Sequence, residues 1–271
     1  MKSTQGKFSA RLLVGVLVIA LMLVTGLLMP YSGVLAQAEE PEFTSEFRLE
    51  DCEFEARGVN PYFILRPGYQ LVYEGEEDGE TIDLVITVLN KTEKIRVPDI
   101  GTVTTRVVEE RESVDGELVE VSRNFFAICD KTNDVYYFGE DVDIFNEDGT
   151  VSHEGAWRAG QPDEDGLAEP GLMMPGTFLL GSRYFQELAD GIALDRAEHT
   201  EMGVEITTPA GTFTDCVQVI ETTPLEPGSE SEKIYCPEVG LVVDDVVELV
   251  KYGNKGQGNN GDNETNENND N

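Results

Sequence analysis

The chain has 271 residues, with 53 Asp and Glu against 19 Lys and Arg and a formal net charge of −34. A surface this acidic repels phosphate backbones, which excludes nucleic-acid binding as a function class. Two histidines cannot supply a His-rich transition-metal centre, while 40% hydrophobic residues is enough to build a core.

Residues 1–38 read as a secretory signal peptide. Lys2, Lys7 and Arg11 form a positive start, residues 12–28 are an apolar run, and Ala36-Gln37-Ala38 offers a small-residue cleavage site. The run is at the lower length limit for spanning a bilayer, so retention as an anchor is the competing reading. No later stretch approaches that length. The mature protein is therefore expected to be secreted, periplasmic or at the cell surface, and not integral to the membrane. Such a location permits disulfides.

Residues 39–59 form an acidic lead-in with little patterning, and an antiparallel β domain is expected over 60–252. Residues 69–74 alternate, turn at Glu77-Asp78-Gly79 and return over 81–89. Residues 103–112 and 118–129 flank Val114-Asp115-Gly116-Glu117. Residues 135–138 and 142–145 read as two strands around Gly139-Glu140-Asp141, with another turn at Asn146-Glu147-Asp148-Gly149. Asp-Gly and Gly-containing turns between β-branched or aromatic runs are the strongest short-range hairpin signal. The spacing predicts further strands at 182–188, 204–208, 216–223, 231–236 and 241–250, and leaves 192–202 as the one place for a short helix. Sequential hairpins without long crossovers predict a mostly β fold, a curved antiparallel meander or an incompletely closed β-barrel. Residues 253–271 are Asn/Gly-rich and acidic with no apolar side chain, which predicts a disordered tail.

Residues 158–177 are Pro/Gly-rich and read as a long loop. Its apolar stretch Leu172-Met173-Met174 is the candidate ligand-binding segment, because methionine adapts to variable pockets. Of the four cysteines, Cys216 and Cys236 flank a hairpin turning through 224–228, and a symmetric hairpin sets them opposite each other. That leaves Cys52 with Cys129, a bridge from the lead-in to a central strand. A thiol nucleophile or a metal site is the alternative use, but no C-x-x-C occurs and neither histidine is near a cysteine in sequence.

Carboxylates suit calcium, the one cofactor this composition invites. Asp141, Asp143 and Asp148 are the candidate ligands, although Phe145 stands where a third loop ligand belongs and Gly149 is displaced. No catalytic residue can be assigned. There is no G-x-S-x-G elbow, phosphate-binding loop or second histidine after His153-Glu154, and no acid pair stands out.

Two segments carry a resemblance. Asn60-Pro61-Tyr62-Phe63-Ile64-Leu65-Arg66-Pro67-Gly68-Tyr69-Gln70-Leu71-Val72-Tyr73 resembles the opening of a group of secreted bacterial domains of unknown function, the DUF3108 and TapB-like families. Thr208-Pro209-Ala210-Gly211-Thr212-Phe213-Thr214-Asp215-Cys216-Val217, with Tyr235-Cys236-Pro237-Glu238-Val239-Gly240-Leu241-Val242, resembles their closing segment. Ile64 and Leu71 depart from the usual Pro and Trp. The resemblance implies a curved, incompletely closed antiparallel sheet like that of lipoprotein carriers, and implies no catalytic residues. The expected function is that of a secreted, non-enzymatic β-sheet binding protein, holding an apolar or acyl-bearing ligand on its concave face or engaging a protein partner. A calcium-stabilised structural or adhesive surface protein is the alternative, and a hydrolase using a carboxylate pair the third.

Overall fold

The computed structural model describes residues 42–255. The expected signal peptide and residues 256–271 of the expected tail lie outside the described residues. A 3-10 turn, Leu49–Asp51, precedes three short strands, β1 (Phe54–Glu55), β2 (Val59–Asn60) and β3 (Phe63–Ile64). Five longer strands follow: β4 (Tyr69–Glu77), β5 (Glu80–Val97), β6 (Gly101–Val114), β7 (Glu117–Cys129) and β8 (Val135–Phe145). Next come β9 (Val151–Ser152), β10 (Trp157–Arg158), β11 (Glu169–Met174), β12 (Arg183–Phe185) and β13 (Glu187–Leu188). The chain ends in β14 (Arg196–Thr208), β15 (Gly211–Thr222), β16 (Glu230–Cys236), β17 (Gly240–Asp244) and β18 (Val247–Asn254). Among the described residues there is no α-helix, and no helix is long and apolar enough to cross a membrane.

The Asp-Gly turns make the hairpins. Asp78-Gly79 and Asp115-Gly116 all hold positive φ, at 53°, 89°, 49° and 81°. Two successive positive φ values twist the backbone in the hand that antiparallel strands require. One antiparallel sheet results, ordered β12-β14-β15-β16-β17-β18-β4-β5-β6-β7-β8-β11-β13. The C-terminal meander joins the N-terminal one through β18 against β4. The sheet is curved and does not close into a barrel. Its two end strands, β12 and β13, are nevertheless separated in the chain by Gln186 alone. The backbone of Gln186 passes directly over Gly171 of β11, where any Cβ would overlap the Gln186 carbonyl. The rolled sheet is thus stitched along one seam by the chain itself.

Two disulfides fasten this arrangement. Cys216 and Cys236 lie opposite across β15 and β16, with Cα atoms 4.2 Å apart, in the register that Val217↔Tyr235 continues. Cys52 and Cys129 join across 77 residues of sequence, with Cα atoms 5.1 Å apart. The second bridge holds the lead-in against the outer face of β7 and β8. There Phe54 packs edge-on to Tyr136 and Phe138, at 5.7 and 5.3 Å between ring centroids. The lead-in is therefore a packed cover rather than an unpatterned approach.

Five local expectations are corrected. Residues 135–145 form one strand, not a hairpin. Gly139 is not a turn residue: its φ of 123° lets β10 cross, and a Cβ there would overlap the Trp157 carbonyl. Conversely, the strand expected over 241–250 is a hairpin that turns at Asp245 (φ 52°). The helix expected within 192–202 is the start of β14, where Ala197 and His199 point in and Glu198 and Thr200 point outward, with strand periodicity. Residues 158–177 are no single loop, because β11 takes Leu172 and Met174 into register with Tyr136 and Val135 of β8. The tail also begins later than expected, since Gly253 and Asn254 pair with β4 and Lys255 donates its N–H to the Gly68 carbonyl at 2.8 Å.

Candidate functional site

The inside of the roll encloses a cavity of about 300 Å³. Strand alternation supplies its lining. On β7, Glu120, Ser122, Asn124 and Phe126 all face it, and on β6, Val108 and Glu110 do. Ile86 and Val88 of β5 and Tyr69 and Leu71 of β4 continue the wall. Phe63 and Ile64 of β3 reach in from the segment that precedes β4. The ring of Phe63 meets that of Phe126 at 4.9 Å, and Phe126 in turn meets Tyr137 at 4.6 Å.

The opposite side is acidic. Glu140 of β8, Glu187 of β13, Asp195, Glu221 of β15 and Asp244 of β17 join Glu110 and Glu120, seven carboxylates in all. Lys233 of β16 is the one cation in the lining. It contacts Glu221 Oε2 at 3.7 Å and pairs with Asp244 at closer range. Burial works against its charge, but Glu221 and Asp244 together hold the ammonium protonated, with its pKa raised.

The carboxylates bear the cost of this crowding. Burial, with the neighbouring charge of Asp244, pushes Glu110 up to about 7 even though Asn124 Nδ2 donates to it at 2.8 Å. Burial pushes Glu140 up to about 8, assisted by Glu110 and opposed by its 3.1 Å hydrogen bond with the Tyr137 hydroxyl. Glu187 is raised well above the usual carboxylate range, first by burial and then by Asp195 and Glu140, and accepts the Trp157 indole N–H at 3.0 Å. Glu221, raised by burial, accepts from Gln186 Nε2 at 2.7 Å. Glu112, just beyond the lining, stands directly opposite Glu120 across β6 and β7, and both are raised, chiefly by burial. Facing like charges across a ladder is destabilising.

Ser122 differs from its neighbours. It is only 6% exposed and brings a small hydroxyl, not a carboxylate, to the lining. It lies across from Glu110 in the β6–β7 register.

The residues singled out from sequence are dispersed. Of Leu172, Met173 and Met174, only Met173 reaches the cavity, where its sulfur lies 3.7 Å from Gln186 Nε2. Met174 is buried in the sheet and Leu172 is half-buried in its β8 register. Asp141 pairs with Arg158 at 2.5 Å, and Asp143 with Arg123 at 3.0 Å and His153 at 3.1 Å. Asp148 caps its own turn through the Thr150 N–H at 2.9 Å. These three are not brought together, and among the described residues no group of three His, Cys, Asp or Glu side chains is placed to hold a metal ion.

His199 is structural in its surroundings. It stacks on Phe178 at 3.7 Å, its Nε2 meets the Tyr184 hydroxyl at 2.8 Å and its Nδ1 meets the Leu179 carbonyl at 3.0 Å. Burial lowers its pKa to about 4, so the ring is neutral, donating from Nδ1 and accepting at Nε2.

Of the stretches singled out for a resemblance, 60–73 and 235–242 converge on the cavity and 208–217 does not. Tyr62, Phe63, Ile64, Tyr69 and Leu71 line the cavity together with Tyr235, Val239, Gly240 and Leu241. The hydroxyls of Tyr69 and Tyr73 donate to the carbonyls of Val239 and Leu241, each at 2.9 Å. Asn60 Nδ2 reaches the carbonyls of Asn133, Met174 and Pro175, which anchors the end of β11 beside the cavity. No protein-family model, curated protein or solved structure matches the chain.

Proposed function

We propose that this chain is a non-enzymatic binding protein of the cell exterior or envelope, holding one small organic ligand inside the rolled sheet. The observation that carries the reading is the cavity itself. Protein interiors are close-packed, and a sheet that leaves about 300 Å³ open among inward aromatic and aliphatic side chains has the dimensions of a small ligand site. The two disulfides favour an oxidising compartment. The resemblance of residues 60–73 and 235–242 to secreted domains points the same way, since those residues supply much of the apolar wall.

The single tryptophan is a built-in reporter, because Trp157 bonds to Glu187 and packs on Tyr137 at 5.5 Å, both of which line the cavity. The neutral dye N-phenyl-1-naphthylamine should bind once per chain and quench Trp157 by energy transfer. The substitution Ser122→Phe, which fills the cavity from its lining, should weaken the dye by at least about tenfold while the fold melts as cooperatively as before. A dye that binds both proteins equally, or neither, contradicts the reading.

A further inference from the structure

Taking the cavity as a ligand site, we infer that its ligand is a small amphipathic organic cation, a protonated amine on an apolar or aromatic body. Three features of the lining carry this. The first is polarity with direction. Along β7 the lining runs from Glu120, opposite Glu112, through Ser122, opposite Glu110, to Phe126, which meets Phe63. An apolar ligand alone would leave the acidic end without a purpose, and an acyl ligand would bring its own carboxylate against it.

The second is unbalanced charge. Lys233 is the one cation against seven carboxylates in the lining and is already paired with Glu221 and Asp244, which leaves Glu120, Glu140 and Glu187 without a cation of their own. Glu187 is buried and Glu120 and Glu140 are half-buried, and crowded carboxylates without a counter-charge destabilise a fold, a cost natural proteins retain at sites of function. A ligand ammonium is the missing countercharge.

The third is Ser122, which brings a small hydroxyl to the lining from a residue only 6% exposed. Glu110 faces it across the ladder, and Glu120 and Asn124 lie on the same face of its own strand. An ammonium N–H donates to a hydroxyl oxygen and to carboxylates alike.

An inorganic ion fits less well, because no three acidic side chains among the described residues converge as metal ligands require.

Three probes share one phenyl body and differ in head charge: 2-phenylethylamine, 2-phenylethanol and 3-phenylpropanoate. Each is titrated at pH 8.5 into the disulfide-bonded protein, followed by Trp157 fluorescence and by calorimetry. The amine should bind at least about tenfold tighter than the alcohol, and the carboxylate weakest of all. Glu110→Gln should cost the amine roughly tenfold and leave the alcohol unchanged, and Ser122→Ala should cost the amine a smaller factor in the same direction. If the alcohol or the carboxylate binds as tightly as the amine, the cavity is a ligand site but the cation assignment is wrong. If none of the three binds and the neutral dye also fails, the cavity reading falls with it.

Discussion

The two poles of the cavity are built by the same strands and obey opposite energetics. On β7 the inward positions run from Glu120 through Ser122 and Asn124 to Phe126, and on β6 they run from Glu110 to Val108 in the matching antiparallel sense. At the apolar end, Phe126 is 3% exposed and closes a three-ring contact with Phe63 and Tyr137 that burial alone stabilises. At the acidic end, Glu112 faces Glu120 and their neighbours sit protonated well above the ordinary carboxylate range. One pole holds the fold together and the other strains it. The difference separates what the sheet needs for stability from what it retains for a ligand.

The largest effect should follow from damaging the stabilising pole. Phe126→Ala removes a buried ring with two aromatic partners, and should lower unfolding free energy by about 3–5 kcal/mol in denaturant titration. A loss under about 1 kcal/mol would mean that the apolar pole is loosely packed.

The next effect concerns pH. Glu110 and Glu140 titrate at about 7 and about 8 in the folded chain, above the ordinary glutamate value, so the folded state binds more protons than the unfolded state between those limits. Their contribution to stability is fully present below about pH 4.5 and is lost as pH rises through 7 to 8. The melting temperature should therefore fall by several degrees between pH 5 and pH 8.5. The pair of substitutions Glu110→Gln and Glu140→Gln should flatten that slope. An unchanged slope in the variants would place the pH dependence on the exterior charge instead.

A smaller gain is expected from relieving one facing pair. Glu120→Gln leaves Glu112 without a like charge opposite, and should raise stability at pH 8.5 by roughly 0.2–1 kcal/mol. Smallest of all, a chelator should leave the melting temperature within measurement error. Asp141 and Asp143 are already engaged by Arg158 and Arg123, and Asp148 by its own turn. A drop of several degrees would restore calcium as a structural partner.

The fold was largely legible in the sequence because hairpin turns are local. Asp78-Gly79 and Asp115-Gly116 need positive φ, and few other residue pairs adopt it so readily. The Cys216–Cys236 pairing followed from the same symmetry. What misled was glycine used for proximity. Gly139 interrupts no strand but admits β10, and no local pattern distinguishes that use from a turn. The acidic pole was not legible at all. In a chain with 53 acids, Glu110 and Glu120 look like any surface carboxylate. Only knowledge of which face of β6 and β7 turns inward separates them, and both faces of β7 carry apolar residues, Phe125 on one and Phe126 on the other. Met173, expected in a long loop, instead reaches the cavity lining from strand β11.

The most direct test of a proton-bearing acidic pole that receives a cation is calorimetry of 2-phenylethylamine binding at pH 7.5 in two buffers of different ionisation enthalpy. Glu110 and Glu140 are partly protonated at that pH, and an arriving ammonium lowers their pKa values, so binding should release protons to the buffer. The predicted result is an apparent enthalpy that differs between the buffers by a substantial fraction of one proton released per ligand. Identical enthalpies in the two buffers, or net proton uptake, would contradict the account.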